Sequence, residues 1–330
     1  MTGFQKFDGA RVLITGGLGF IGSALAKKLV ELQAKVTLVD SMIPIYGGNH
    51  FNIRDIKDRV TVNISDVRDP FAMAYLVRDK DYLFNLAGQT SHLDSMADPR
   101  TDLDINASSQ LSILEACRQH NPAIKIVFAS TRQLYGKPEY LPVDEKHPIK
   151  PVDVNGINKL AGEWYHLLYN NIYQIRACAL RLTNTYGPGM RIKDARQTFL
   201  GIWIKNLIQG NTLQIFGDGL QLRDFNYVDD VVEAFLGAAM DENTNGGVYN
   251  LGSSEHISLK DLANRMVKIF KSGKYEMVPF PSDRKAIDIG DYYSDFNKIN
   301  KMLGWSPRIS LEEGLRKSLD YYSQYLDNYL

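Results

Sequence analysis

The sequence has little cysteine, no excess of either charge and no long apolar run, and each shortage excludes a class of protein. Two cysteines, Cys117 and Cys178, are too few for a disulfide framework. Both fall in apolar periodic segments, so buried free thiols are expected. Lys and Arg number 38, as do Asp and Glu, and the formal charge is zero. A general nucleic-acid binder carries a basic excess or stripe, so nucleic acid is not an expected partner. The longest apolar runs reach about six residues, as in 235–240 with Gly237 inside it, whereas a membrane span takes about 20. The opening residues MTGFQK have no long apolar stretch of the signal-peptide kind. Six histidines and two cysteines show no metal-ligand spacing, so no metal is expected. These absences together predict a soluble cytoplasmic protein.

What is present is 330 residues, 44% of them apolar, enough for a sizeable core. At roughly 100–200 residues per domain, that is one large domain or two smaller ones. Segments 11–15, 35–40 (KVTLVD), 60–63, 82–86 and 125–129 (KIVFA) read as strands. Segment 20–32 places Ile21, Leu25, Leu29 and Leu32 at helical spacing, and 70–77 and 103–119 read as further helices. This alternation predicts βαβ units and a parallel sheet covered on both faces. After about residue 185 the pattern changes. Turn signals crowd Gly187-Pro188-Gly189, Gly217-Asp218-Gly219 and Gly246-Gly247, between helical candidates at 197–209, 229–240, 258–271 and 310–329. The second region is interleaved with the first sheet through 175–182 (IRACALRL). Asp229 or Asp230 is expected to cap the helix near 229. Trp164, Trp203 and Trp305 are read as packing residues.

Residues 11–22, RVLITGGLGFIG, place Gly16, Gly19 and Gly22 between a strand and an amphipathic helix. Gly16 permits the tight turn, Gly19 admits a pyrophosphate close to the backbone, and Gly22 lets helix and strand pack closely. The helix N-terminus then presents free N–H groups to the phosphates. Asp40 ends the second strand. A carboxylate there accepts two hydrogen bonds from a ribose diol and repels a 2′-phosphate, which favours NAD over NADP. Asp66-Val67 follows the third strand, with Asp66 as an acceptor for an adenine amino group or as a helix cap before Pro70.

With these features the sequence resembles the extended short-chain dehydrogenase/reductase superfamily, specifically its NAD-dependent nucleotide-sugar epimerases and dehydratases. The similarity runs through GGLGFIG (16–22), NLAGQTSH (85–92), DINASSQLSILEAC (104–117), STRQLYG (130–136), RLTNTYGPG (181–189), GDGLQLRDFNYVDDVV (217–232) and LGWSPRISLEEGL (303–315). It implies an α/β fold with a doubly wound parallel (Rossmann) sheet and a smaller mixed C-terminal substrate-binding lobe. Residues 1–185 are expected to bind NAD and 186–330 to bind the nucleotide sugar. The resemblance also implies a homodimer formed through two helices of each subunit. Around the cofactor it implies Phe20, Ile21, Ser41, Leu86, Ala87, Gly88, Gln89 and Asn106, with Lys159 on the nicotinamide ribose. Around the substrate it implies Asn184 on the diphosphate and Arg223 and Arg284 on a phosphate or a ribose, with Gln197, Thr198 and Phe199 near the base.

One position departs from the family. Its catalytic signature is Ser or Thr, then Tyr-x-x-x-Lys, in which the tyrosine takes a proton from a sugar hydroxyl. Thr131 and Lys159 match, but Asn155 stands four residues before Lys159. An amide is no general base at neutral pH. Candidate replacements are His92, Tyr135, Lys159 itself, or Thr131 through a water; His92 also reads as an ordinary loop histidine, and Tyr135 as a packing residue. Arg132-Gln133 follows Thr131 where the 4,6-dehydratases carry Asp-Glu. Neither residue supplies elimination chemistry, and Arg132 suits an anionic or hydroxyl-rich part of the substrate. The expected activity is epimerisation through a transient keto sugar. The alternatives are a dehydrogenase or dehydratase of the same substrates and a non-catalytic NAD or nucleotide-sugar sensor.

Overall fold

The structure is a computed structural model that describes residues 4–196 and 198–330. Its strands are β1 (Arg11–Thr15), β2 (Lys35–Asp40), β3 (Val60–Ile64), β4 (Tyr82–Asn85), β5 (Lys125–Thr131), β6 (Ala177–Leu182), β7 (Asn184–Tyr186), β8 (Leu213–Phe216), β9 (Leu222–Tyr227), β10 (Val248–Asn250), β11 (His256–Ser258) and β12 (Tyr275–Val278). The helices are α1 (Phe20–Glu31), α2 (Pro70–Leu76), α3 (His92–Ala97), α4 (Pro99–Leu103), α5 (Ser109–His120), α6 (Val154–Tyr173), α7 (Phe199–Ile208), α8 (Val228–Met240), α9 (Leu259–Phe270), α10 (Ser282–Ala286), α11 (Asn297–Leu303) and α12 (Leu311–Tyr325).

Seven parallel strands lie in the order β10-β6-β5-β4-β1-β2-β3. The central strands are continuous apolar runs because helices cover both faces. On one face Leu25 and Leu29 of α1 and Phe235 of α8 pack over Ile14 and Phe84. On the other, Met73 of α2 and Ile113 and Leu114 of α5 pack over Leu13, Leu83 and Ile126. Strand order reverses beside β1, which pairs with β2 on one side and β4 on the other. Crossovers leave in opposite directions there, and the gap at the C-terminal ends of the strands is where a doubly wound sheet binds its ligand.

The later segments form the predicted mixed region. β11, β9 and β7 make a small sheet, β12 and β8 a parallel pair, and a second core gathers Trp203 and Leu207 of α7, Leu262 of α9, and Leu315 and Tyr322 of α12. Phe20 of α1 belongs to this second core, and β10 completes the first sheet. The two regions are therefore interleaved. Cys117 and Cys178 are buried free thiols.

Three local expectations are corrected. The segment expected as one helix over 103–119 is broken by a π-helical turn at Asp104–Ser108. Tyr227 holds the cap position before α8 and makes no side-chain cap, while Asp230 accepts the backbone N–H of Ile309 at 3.0 Å. Trp203 and Trp305 are buried, but Trp164 is 57% exposed on α6.

Candidate active site

The cleft at the strand ends begins with the glycine turn. Gly16 has φ +67°, a left-handed conformation that glycine adopts without strain. A Cβ on Gly22 would lie 2.2 Å from the Gly16 carbonyl oxygen, so only glycine allows α1 to start there. Gly19 precedes α1 and no side chain caps the helix. Its first-turn N–H groups, at Phe20, Ile21 and Gly22, stay free for an anion in the cleft. Asp40 lines the same cleft beside Ser41. Its carboxylate accepts the backbone N–H groups of Leu18 (3.1 Å) and Met42 (3.0 Å). Burial raises its pKa despite those bonds. Asp66 and Val67 line the far end. Asp66 does not cap α2; Asp69 does, accepting from Phe71 and Ala72. Asp66 instead receives the Arg68 guanidinium at 2.6 Å, which holds its carboxyl below the usual range.

The floor is built by Thr15. Its hydroxyl donates to Asn85 Oδ1 (2.8 Å) and accepts the N–H groups of Leu86 (3.0 Å) and Ala87 (3.1 Å). This fixes residues 86–89 across the strand ends. A Cβ on Gly88 would come 2.9 Å from Asn106 Oδ1 and 3.4 Å from Lys159 Nζ, so the backbone there runs close to both. Asn106 Oδ1 is buried with no hydrogen-bond partner.

Asn155 is buried and held from two sides. Its amide donates to the Gln89 carbonyl (2.8 Å) and to Asp102 Oδ2 (3.1 Å). Asp102, itself fully buried, also accepts from Asn106 (3.1 Å) and Asn158 (2.8 Å). Three asparagine amides therefore converge on one carboxylate. The π-helical turn makes this possible, because it places Asn106 over the N-terminal turns of α6. Both N–H bonds of the Asn155 amide are spent on this network, which makes it a clamp between the 86–89 loop and α6.

Lys159 lies one helical turn further on. Its ammonium donates to the Ala129 carbonyl (2.7 Å) and sits 4.6 Å from the centre of the Phe128 ring. Burial lowers its pKa to about 8, against the attraction of Asp102 and Glu163. Thr131 ends β5, and its hydroxyl accepts the Gln133 N–H at 3.2 Å. His92 opens α3 and faces the cleft alongside Thr131, Gln133, Asn155 and Lys159. Its Nδ1 lies 3.0 Å from Asp153 Oδ2. Tyr135 is fully buried away from the cleft; it donates to Asn250 (2.7 Å) and accepts from Arg181 (2.6 Å), and burial pushes its pKa to about 12.

On the substrate side the cleft reaches Arg132, Asn184 and Thr198. Arg132 Nη2 donates to Asn184 Oδ1 at 3.0 Å, while Nη1 is buried with no partner. Burial lowers the pKa of Arg132. Arg223 and Arg284 are not among the residues that line the cleft. The Arg223 guanidinium donates to the carbonyls of Leu222 (2.8 Å) and Gly290. Burial and nearby Arg132 lower its pKa to about 10. Arg284 lies over the Phe216 ring, 5.3 Å from its centre. Gln197 lies outside the described residues. Thr198 caps α7 by accepting the Leu200 N–H at 3.3 Å.

The sequence profile of the NAD-dependent epimerase/dehydratase family matches residues 12–252. The chain belongs to that family. It is 34% identical over 311 residues to a provisionally named UDP-glucose 4-epimerase of Methanocaldococcus jannaschii, covering 94% of this chain and 97% of the relative. It is 31% identical over 325 residues to a UDP-N-acetyl-alpha-D-glucosaminuronate decarboxylase of Bacillus cytotoxicus, covering 95% and 98%. Among solved structures, UDP-glucose 4-epimerase of Thermotoga maritima with UDP-glucose superposes with a TM-score of 0.87 at 29% identity, over 96% of this chain and 99% of that one. The chain is an enzyme and its cofactor is NAD. The cradle fits that cofactor. Its glycines leave room for a pyrophosphate at an uncapped helix start, and the Asp40 carboxylate lines the same cleft at the end of β2.

Sequence reasoning missed Asp102 and Asp153. The spacings were legible: Asp102 and Asn106 are four apart, and Asp153 stands at a helix-cap position before α6. That both carboxylates would be buried was not legible, because neither lies in an apolar segment. Arg196, which bridges Asp94 at 2.7 Å and Asp194 at 2.8 Å beside the cleft, was also missed.

Proposed function

We propose that the enzyme is a nucleotide-sugar epimerase that oxidises a sugar hydroxyl to a transient ketone and reduces it again. One observation carries this reading. The carboxylates among the described cleft-lining residues are Asp40 and Asp66, at the ends of β2 and β3. Thr131 ends β5, three strands from β2 in the sheet order, or about 14 Å at roughly 4.8 Å per strand. No carboxylate that lines the cleft therefore stands beside Thr131 to expel water, the nearby Asp153 being buried against Gln133 and the start of α6, and reversible redox chemistry without elimination fits the site best.

Gly16, Gly19, Phe20, Ile21 and Gly22 would hold the NAD pyrophosphate, Asp40 and Ser41 a ribose, and Asp66 and Val67 the adenine. Leu86, Ala87, Gly88, Gln89, Asn106 and Lys159 would surround the nicotinamide end. Bound NAD supplies a hydride acceptor and donor. Lys159 is a cation near pH 7 and orients the ribose, while Thr131 hydrogen-bonds the reacting hydroxyl. Asn155 holds the loop and does not move a proton. Asn184 and Arg132 face the sugar nucleotide. Arg223 and Arg284 do not line the cleft and are given no contact with it. Residues 1–185 act as the cofactor unit and 186–330 as the substrate lobe.

The outer stripe of α6 supports a homodimer. Ile157, Trp164, Leu168 and Ile172 recur at helical spacing and are exposed, as is Leu111 of α5. No helix among the described residues is long and apolar enough to cross a membrane, and we place the enzyme in the cytoplasm.

A second reading is favoured by Arg132. A buried guanidinium with a free Nη1 suits a sugar carboxylate, and oxidation of a nucleotide uronic acid leads to loss of CO₂. Incubating the purified protein with UDP-, dTDP-, GDP- and CDP-linked hexoses and hexuronates, with products read by NMR, tests both. Two interconverting epimers without net NADH are expected. Net NADH, loss of water or loss of CO₂ would overturn the epimerase reading.

A further inference from the structure

We propose that His92 and Asp153 form the acid/base pair of this active site, with His92 Nε2 taking the proton that the family's tyrosine would take. This rests on the redox reading above.

Asp153 is fixed on several sides. It caps α6, its Oδ1 accepting the Gly156 N–H at 2.7 Å, and its Oδ2 accepts from Gln133 Nε2 at 2.7 Å. Its side chain has no solvent exposure. Burial alone would raise its pKa, but His92, the Gly156 N–H and the Gln133 amide together hold the carboxyl below its usual range. His92 Nδ1 lies 3.0 Å from Oδ2 without an aligned hydrogen bond. Such bonds commonly tighten only when substrate is bound. With Nδ1 turned to a buried carboxylate, Nε2 is the ring nitrogen left for the cleft, and the side chain is 38% exposed there. A carboxylate on Nδ1–H fixes the tautomer in which Nε2 is the base and stabilises the imidazolium that forms.

The other candidates are engaged elsewhere. Lys159 donates to Ala129 and, with a pKa of about 8, is an ammonium near neutral pH. Tyr135 is buried against Asn250 and Arg181. In the forward step the sugar C–H and O–H bonds break and a C=O bond forms. The proton goes to Nε2 and the hydride to bound NAD, and both return in the reverse step. Besides Asp153, the charged and titratable groups around His92 are Asp94 on its own helix with Arg196, Tyr46 from the loop after β2, and Lys159 and Arg132 across the cleft.

The test uses Asp153→Asn, which keeps an acceptor for the Gly156 N–H and so keeps the helix cap. The histidine ring nitrogens of the full-length protein are read by 1H–15N NMR, His92→Gln identifying the resonances. In the wild type the neutral ring is expected to carry its proton on Nδ1, facing Asp153, and loss of the carboxylate is expected to shift it toward the Nε2–H form. The same tautomer in both proteins would overturn the pair. On a substrate that the wild type turns over, His92→Gln is expected to lower kcat about 100-fold with KM little changed. Asp153→Asn is expected to lower kcat about 10-fold, also with KM little changed. Unchanged kcat in His92→Gln overturns the proposal and leaves the redox reading standing. A sugar panel on which the wild type is inert overturns that reading, while the NMR tautomer still decides the pair.

Discussion

Asn155→Asp is the sharpest probe of the asparagine clamp. It changes one NH₂ to oxygen at a site where that NH₂ lies 3.1 Å from the Asp102 carboxylate and 2.8 Å from the Gln89 carbonyl. Both bonds become repulsions. Two unit charges 3.1 Å apart cost about 5 kcal/mol at an effective dielectric constant near 20. The new carboxyl has a cheaper course, which is to keep its proton. From an ordinary pKa of about 3.9, that costs about 4 kcal/mol at pH 7 and about 1.5 kcal/mol at pH 5. The sign follows from proton linkage. The folded state raises this pKa and holds a proton that the unfolded chain has released, so stability falls as pH rises above about 4. Urea unfolding of variant and wild type, followed by tryptophan fluorescence near pH 5 and pH 7, checks it. The stability difference between the two proteins is expected to widen by about 2.5 kcal/mol at the higher pH. Asn155→Ala should cost about 2–3 kcal/mol at both, since it deletes two donors without adding charge. An Asn155→Asp protein as stable as the wild type, or equally weakened at both pH values, would refute the clamp.

Gly22→Ala drives a methyl group to 2.2 Å from the Gly16 carbonyl oxygen; calorimetry should show at least a roughly tenfold loss of NAD affinity as the cradle is displaced. Asp40→Ser removes the carboxylate that would repel a 2′-phosphate, so the ratio of NAD to NADP affinity should fall by about tenfold or more. Lys159→Met removes a buried amine whose pKa is lowered from 10.5 to about 8. Between those values the unfolded chain holds the extra proton, so wild-type stability should rise with pH relative to the variant, by up to about 1.4 kcal/mol per unit. Trp164→Glu with Leu168→Glu charges the exposed stripe of α6; sedimentation is expected to show a dimer for the wild type and a monomer for the variant.

Much of the cofactor end was legible because its determinants are local. Gly16, Gly19 and Gly22 act through the backbone of a single turn, and Asp40 follows from its place at a strand end. The order of sheet and helices was legible for the same reason, through alternating apolar runs. The catalytic end was legible only as a gap. Asn155 could be seen to be unfit as a base, but its partners Gln89 and Asp102 are 66 and 53 positions away in the chain. His92 was one candidate among four, and the carboxylate that the fold sets beside it, Asp153, is 61 positions on.

The sequence by itself determined the parallel sheet, the dinucleotide cradle, the family and the absence of the tyrosine, since each is written in contiguous residues or in residue type. Tertiary structure alone decided which buried carboxylate meets which side chain. It joined Asp102 to three asparagines and Asp153 to His92, and it left Arg223 and Arg284 outside the cleft. The physical reason is that a charge or hydrogen bond acts through space within a few ångströms, and only the packing of distant segments decides which groups come that close.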